Sequence, residues 1–181
     1  MQIFFIILSC IIILILASLV IFFLWLRRGV KSLSKDYPVK EVKKGTGYKK
    51  VLILYQPSLH NTAEKVTNTV IDTFLNLGYS ITANYISDEL DYNLNDYDFI
   101  AFGSPVYVGN ISPKFIKYIK CSNIENKEIL IYTVGNIDTE EQETDELTHL
   151  LKDKNTIHKI KISPKPSDLQ NLISYIKNIN H

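Results

Sequence analysis

The chain predicts an α/β fold: a five-stranded parallel sheet between layers of helix, preceded by one transmembrane helix. Three observations carry this. From Lys50 onward, five short apolar runs alternate with amphipathic helical patterns, which is how βα units joined by right-handed crossovers read. The first run, Val51-Leu52-Ile53-Leu54-Tyr55, is continuous rather than alternating, as in a strand buried on both faces. Ahead of these units, residues 1–26 hold no charged side chain.

The N-terminal segment comes first. Ile3 to Leu26 is interrupted only by Ser9, Cys10 and Ser18. At 1.5 Å per residue it spans about 36 Å, enough to cross a hydrocarbon core of roughly 30 Å with some tilt. Trp25 falls where an interfacial aromatic is expected. A cleaved signal peptide needs a basic start and a shorter apolar run. Met1-Gln2 carries no basic side chain, and Leu8-Ser9-Cys10, though similar to a lipoprotein cleavage site, sits too early to leave a working signal.

The flank sets orientation. Residues 27–50 hold 9 basic and 2 acidic side chains, whereas residues 51–181 hold 11 basic and 17 acidic ones. The basic flank comes after the span, so the positive-inside rule places the C-terminal part in the cytoplasm, at a cell membrane crossed once. Each Lys or Arg reaching anionic lipid adds about 1 kcal/mol of surface attraction. Residues 27–49 mix Lys, Ser, Gly and one Pro without sustained periodicity. As a flexible coil they would hold the domain on the order of 25–30 Å from the membrane. The organisation is therefore a transmembrane helix at 1–26, a basic linker at 27–49 and a globular domain at 50–181.

Within the domain, a helix from Thr62 to Leu77 puts Ala63, Val66, Val70, Phe74 and Leu77 on one face, with Asn61 and Glu64 as a capping box and Gly78 as terminator. Tyr79–Ile86 is the second strand. Residues 87–97, with Leu90 and Leu94, read as one short helix. Asp98–Phe102 is the third strand. Ser112-Pro113 opens the next helix with a cap and a proline at its first position. Glu128–Thr133 is the fourth strand. Thr139 with Gln142 caps an acid-rich helix carrying Leu147, Leu150 and Leu151. Ile157–Ile162 is the fifth strand, and Ser167 with Gln170 caps the last helix.

Several functions are excluded by composition. The globular part is acidic, which argues against nucleic-acid binding. Two cysteines, Cys10 and Cys121, cannot build a disulfide framework. Four scattered histidines and no CxxC argue against a metal site.

Ligands of an open parallel sheet sit beyond the carboxyl ends of its strands. Three loops occupy such ends. In the first, Gln56 to Thr62, Ser58, His60, Asn61 and Thr62 offer donors at a helix N-terminus that could receive a phosphate, or Ser58 and Asn61 serve only as caps. No GxGxxG and no GxxxxGK[ST] occurs. His60 donates to that phosphate or sits solvated at the tip. In the second, Gly103 to Ser112, Ser104, Pro105, Tyr107, Val108, Gly109 and Asn110 would line a site: Tyr107 offers a face to a flat heterocycle and Gly109 lets backbone come close, or the tyrosine merely packs on a turn. The third, Val134 to Asp138, contributes Gly135 and Asn136.

The stretches LILYQPSLHNTAEKVTNTV and DFIAFGSPVYVGNISPKFIKYI resemble the flavodoxin family, particularly its short-chain members, over about residues 50–181. The resemblance implies the flavodoxin-like three-layer sandwich, strand order 2-1-3-4-5 and one non-covalently bound FMN. Asn61 and Thr62 match the end of the family's phosphate loop. Pro57, Leu59 and His60 stand where a hydroxyl residue, Thr and Gly are usual, leaving Ser58 and His60 as donors. Tyr107 to Asn110 match the loop that contacts the isoalloxazine, Gly109 the position whose peptide turns on reduction, and Gly135 and Asn136 the third loop. The function implied is that of an electron carrier serving a membrane-associated redox protein or a quinone. Two other readings stand beside it: an FMN-dependent oxidoreductase acting on a quinone or other small substrate, and a binding module of this fold without flavin. The acid-rich run from Thr139 to Glu146 is a solvated face or a dock for a basic redox partner.

Overall fold

The computed structural model describes residues 2–135 and 141–180, the side chains of residues 3 and 141 left aside. The chain opens with one helix, α1 (Gln2–Leu33). Its residues from Phe4 to Trp25 are exposed along their whole length, and it is long and apolar enough to cross a membrane. Its last turn, Ser32 and Leu33, is buried against the domain.

The domain then runs β1 (Val42–Lys44), β2 (Lys50–Tyr55), α2 (Thr62–Asn76), β3 (Ser80–Tyr85), β4 (Phe99–Pro105), α3 (Pro113–Cys121), β5 (Glu128–Val134), α4 (Asp145–Leu151), β6 (Thr156–Ile162) and α5 (Pro166–Ile179). The sheet order is β1-β3-β2-β4-β5-β6. All neighbours are parallel except β1, which pairs antiparallel with β3, Val42 opposite Ala83. Without β1 this is the expected 2-1-3-4-5 order. The sixth strand comes from the linker and covers the edge that β3 would otherwise expose.

The core sits on both faces of the sheet. Along β2, Val51 and Ile53 join Ala63, Val66, Val70 and Phe74 of α2 and Leu172 and Ile176 of α5. Leu52 and Leu54 point the other way, onto Phe115 and Ile119 of α3 and Leu147 and Leu151 of α4. All four β2 side chains are fully buried, which explains the unbroken apolar run. Each contributes about 1.5–3 kcal/mol by leaving water. Between the layers, Tyr132 is fully buried and shares a 2.8 Å hydrogen bond with Thr67. It fills the space beside Gly103, where any Cβ would overlap its phenol ring.

Several expectations are corrected. The linker is not a free coil. Residues 27–33 continue α1, and residues 42–44 are a strand. Asn61 does not cap α2 through its side chain: it takes φ 55°, and the Ala63 N–H is accepted by Ser58 Oγ instead, at 3.0 Å. Glu64 closes this arrangement by accepting from the Ser58 N–H and hydroxyl, at 3.2 and 3.0 Å. Residues 87–97 form no α-helix, only one 3₁₀ turn at Leu94–Asp96. The last helix starts at Pro166 with no side-chain cap; the Ser163 hydroxyl donates to Asp168 at 2.5 Å in front of it. Ser112 does cap α3, with Pro113 in the first turn. Thr139 lies outside the described residues, and a 3₁₀ turn, Glu141–Thr144, leads into α4.

Candidate functional site

The fold gathers the first two loops, and the start of the third, at the carboxyl edge of the sheet. β2 and β4 are neighbours, and the chain leaves them in opposite directions, so the crevice beyond Tyr55 and Pro105 is the topological switch point.

In the first loop Ser58 is buried, while Leu59, His60 and Asn61 are exposed and Thr62 is half-buried. The Ser58 hydroxyl also meets Thr62 Oγ1 at 3.0 Å. The loop is thus built around Ser58 and Glu64, not around Asn61, and His60 stands at its tip.

The second loop is a tight hairpin. Tyr107 and Asn110 exchange backbone hydrogen bonds of 3.0 and 3.1 Å, and the turn residues Val108 and Gly109 take φ of 53° and 71°. The Asn110 side chain donates to Val108 O at 2.7 Å. No atom lies within 4 Å of where a Gly109 Cβ would be, so that side of the turn faces open space. Beneath, Ser104 is buried, its hydroxyl donating to the carbonyl of buried Pro105 and accepting from the Ser112 N–H, both at 3.0 Å. The two loops touch: the Leu59 N–H donates to Tyr107 Oη at 3.2 Å. In the third loop the Gly135 N–H donates to Ile162 O at 3.0 Å. Asn136 lies outside the described residues.

The crevice itself holds residues the loops do not predict. Gln56, fully buried, donates from Nε2 to Ser32 O at 3.0 Å and Lys35 O at 3.3 Å. Ser112, also fully buried, donates to Leu33 O at 2.7 Å. Ser112 thus serves the Leu33 carbonyl at the end of α1, and Gln56 adds a second bond to the Ser32 carbonyl, which also accepts from the Lys35 N–H at 3.3 Å. Gly29 lies flat on the Tyr107 ring; a Cβ there would stand 2.7 Å from Tyr107 Cδ1. Further along, Asp36 pairs with Lys114, whose side chain is 9% exposed. Tyr37 packs on Tyr85, which in turn meets Tyr55. Residues 29–37 therefore form a strap from the Tyr107 hairpin across the end of β2 to the end of β3, where Lys40 N–H is accepted by Asn84 at 2.8 Å. Burial raises the Tyr37 hydroxyl pKa, with the Glu64 carboxylate and the Tyr107 hydroxyl adding to it. Burial likewise holds Tyr55 well above its ordinary range, with Tyr85 adding to it.

Beside the strap a cavity of 420 Å³ remains, lined by Val30, Leu33, Gly109, Asn110, Ile111 and Glu143 among others. That is the size of a small-molecule site. Glu143 is held by an ion pair with Lys161 at 2.8 Å, both side chains largely buried, and accepts from the Thr133 hydroxyl at 3.3 Å. A larger hollow of 730 Å³ lies at the opposite edge, around Lys49, Asp98, Lys127 and Asn155. It is remote from the strand carboxyl ends and from all three loops.

A flavin is the group the fold suggests, and its fit divides in two. The exposed Gly109–Asn110 turn and the adjoining cavity suit a planar ring system, with the Tyr107 ring beside them under Gly29. At the phosphate end, the Ser58 donors are engaged by Glu64, and the strap lies in the crevice between that loop and the ring-side hairpin. Both parts depend on the strap: Gly29 lies on the Tyr107 ring and Val30, Leu33 and Ser34 form one wall of the cavity, so full access at either end requires the strap to lift. Among the described residues no cluster of His, Cys, Asp and Glu could hold a metal ion.

Comparison with known proteins agrees with this architecture. A family model described as a flavodoxin domain matches residues 52–169. An uncharacterized protein of Methanocaldococcus jannaschii is 30% identical over 86 residues, which span 48% of this chain and 54% of that protein, about half the length of each. Among solved structures, a flavodoxin of Streptococcus pneumoniae TIGR4 superposes with a TM-score of 0.57 at 14% identity, over 71% of this chain and 95% of its own. A short-chain flavodoxin associated with a bacterial microcompartment gives 0.56 at 17%, over 71% and 95%. An apo NADH:FMN oxidoreductase gives 0.55 at 13%, over 72% and 87%. At these identities the structural likeness is one of fold.

Proposed function

The chain belongs to the flavodoxin domain family, and from that premise we propose that it is an FMN-binding redox protein, anchored by α1 with its domain on the cytoplasmic side of the cell membrane. It exchanges electrons with a membrane-associated redox protein or a quinone. The observation that carries this reading is the exposed Val108–Asn110 turn at the switch point, beside a 420 Å³ cavity whose other wall is the strap itself.

FMN supplies one- and two-electron transfer when bound; the chain binds it, orients it and limits its contact with water. Tyr107, once Gly29 leaves it, would offer the ring an apolar face. Gly109, with no side chain of its own, would let main-chain polar groups approach the ring edge. Ser58, His60 and Thr62, at the start of α2, are the donors for the phosphate, with the helix dipole behind them. Binding there competes with Glu64 for the Ser58 N–H and hydroxyl, and it requires residues 29–37 to leave the crevice. Glu143 and Lys161 anchor the far wall.

A second reading has an observation of its own. The strap and Glu64 together satisfy the polar groups that a ligand would use, as in a module of this fold that binds its own juxtamembrane segment in place of flavin. Absorbance and fluorescence separate the two. The full chain in detergent should be yellow, or should quench the fluorescence of added FMN at stoichiometric ratio. A colourless protein that leaves FMN emission unchanged refutes the first reading and favours the second.

A further inference from the structure

The strap fixes how the domain faces whatever α1 crosses. Gly29, which lies on Tyr107, stands three residues of unbroken helix beyond Leu26, the last apolar residue of the span. The Tyr107 hairpin is therefore roughly 5 Å beyond the apolar end along the helix axis, and the Ser112 contact at Leu33 roughly 10 Å. The polar layer on each side of a bilayer is about 5–8 Å thick, from roughly 30 Å of hydrocarbon within 40–45 Å overall. The Tyr107 ring, at its contact with Gly29, thus falls inside that layer, and the Ser112 contact at Leu33 lies just outside it.

The side chains presented there are apolar. Val108, at the tip of the second loop, is 62% exposed, and Leu59, at the tip of the first, is 43% exposed. The Leu59–Tyr107 hydrogen bond holds the two tips together. Val108 is also β-branched at φ 53°, a conformation such a side chain rarely adopts and one that asparagine or glycine would take more easily. Arg27, Arg28, Lys31 and Lys35, all exposed, sit on or just after the end of α1, between the apolar span and the domain. Apolar tips beside such a basic stretch match an anionic bilayer surface.

We propose that, while the strap is docked, Leu59 and Val108 rest in the boundary between headgroups and acyl chains, so that the carboxyl edge of the sheet opens onto lipid. This rests on α1 spanning the bilayer. Whatever reaches the Gly109–Asn110 turn then arrives along the membrane, which admits lipid-soluble or membrane-embedded redox partners and keeps water-borne proteins from that edge.

The test uses the full chain with Cys10→Ser and Cys121→Ser, reconstituted in vesicles of phosphatidylcholine and phosphatidylglycerol. Single cysteines carry an environment-sensitive fluorophore at Val108→Cys, Leu59→Cys, Ser18→Cys within the span, and Tyr48→Cys, which is fully exposed ahead of β2 at the opposite edge. Lipids with a nitroxide high on the acyl chain serve as quenchers. The expected result is blue-shifted, quenched emission at positions 108, 59 and 18, and water-like, unquenched emission at 48. A quenched probe at 18 with water-like probes at 108 and 59 overturns the proposal and leaves the anchor intact. A water-like probe at 18 overturns the anchor and the proposal together.

Discussion

If the strap closes the crevice that the FMN phosphate must enter, then loosening the strap should tighten flavin binding. Gly29→Ala is the sharpest perturbation. Its new methyl carbon would stand 2.7 Å from Tyr107 Cδ1 and 3.1 Å from Cγ, atoms at the base of a ring that is pinned at its far end by the Leu59 N–H. The ring cannot yield freely, so the end of α1 must back away. Overpacking of this kind costs about 1–3 kcal/mol. The helix itself does not suffer, because alanine is a better helix former than glycine by about 1 kcal/mol; the loss falls on docking alone. Affinity for a site that must first open scales with the open fraction. At about 1.4 kcal/mol per tenfold, the apparent Kd for FMN should fall roughly 5- to 150-fold. Fluorescence titration of FMN with the full chain in detergent micelles measures this directly. Asp36→Asn, which breaks the pair with Lys114, should move the Kd the same way by a smaller step. An unchanged or weakened affinity in Gly29→Ala would refute the idea that the strap competes with the flavin.

Three further outcomes are expected. Gly109→Ala forces a side chain into φ 71° at the hairpin tip and should shift the reduction potentials of the bound flavin in spectroelectrochemical titration; identical potentials would remove the Gly109 assignment. Gly103→Ala puts a methyl group into the Tyr132 phenol; it should destabilise the domain by about 1–3 kcal/mol, each lowering Tm by roughly 2–4 °C at this chain length, and a wild-type Tm by calorimetry would contradict the packing described. Hydrogen bonds from Lys43 and Tyr92 hold the Glu41 carboxyl below its ordinary 4.5. Its contribution is therefore complete above about that pH and disappears as pH falls through the lowered value. Amide exchange in β1, corrected for intrinsic rates, should speed up below pH 4.5 in the wild type and show no such dependence in Glu41→Gln.

The parts legible in the sequence are those governed by burial. Val51 to Leu54 read as a two-faced strand because both core layers rest on it, and Ser112-Pro113 read as a helix start because cap and proline act locally. The parts misread depend on distant partners. Val42–Lys44 is short and charged, as edge strands are, and only pairing with β3 makes it a strand. Gly29 reads as a linker residue, yet its missing side chain is what lets the helix lie against a tyrosine ring. Asn61 reads as the natural cap, but its left-handed conformation turns it outward and leaves the task to Ser58 and Glu64. Gln56 carries no motif and Ser112 reads only as a helix cap; their hold on the strap emerges only when the end of α1 brings its carbonyls to them. A basic run after an apolar span is the one local hint that this segment does more than tether.

The antiparallel pairing of β1 with β3 also sets an order of events during synthesis. Residues 40–44 are made soon after α1, but their partners at 81–84 are some forty residues behind them. Until β2, α2 and β3 have emerged and closed their own βαβ unit, residues 42–44 have nothing to pair with, and the strap at 29–37 waits longer still, for Tyr107, Ser112 and Lys114. The β1 segment waits as open chain, and its pairing marks the completion of that unit, with the β3 edge bare in the meantime and open to pairing with a neighbouring nascent chain.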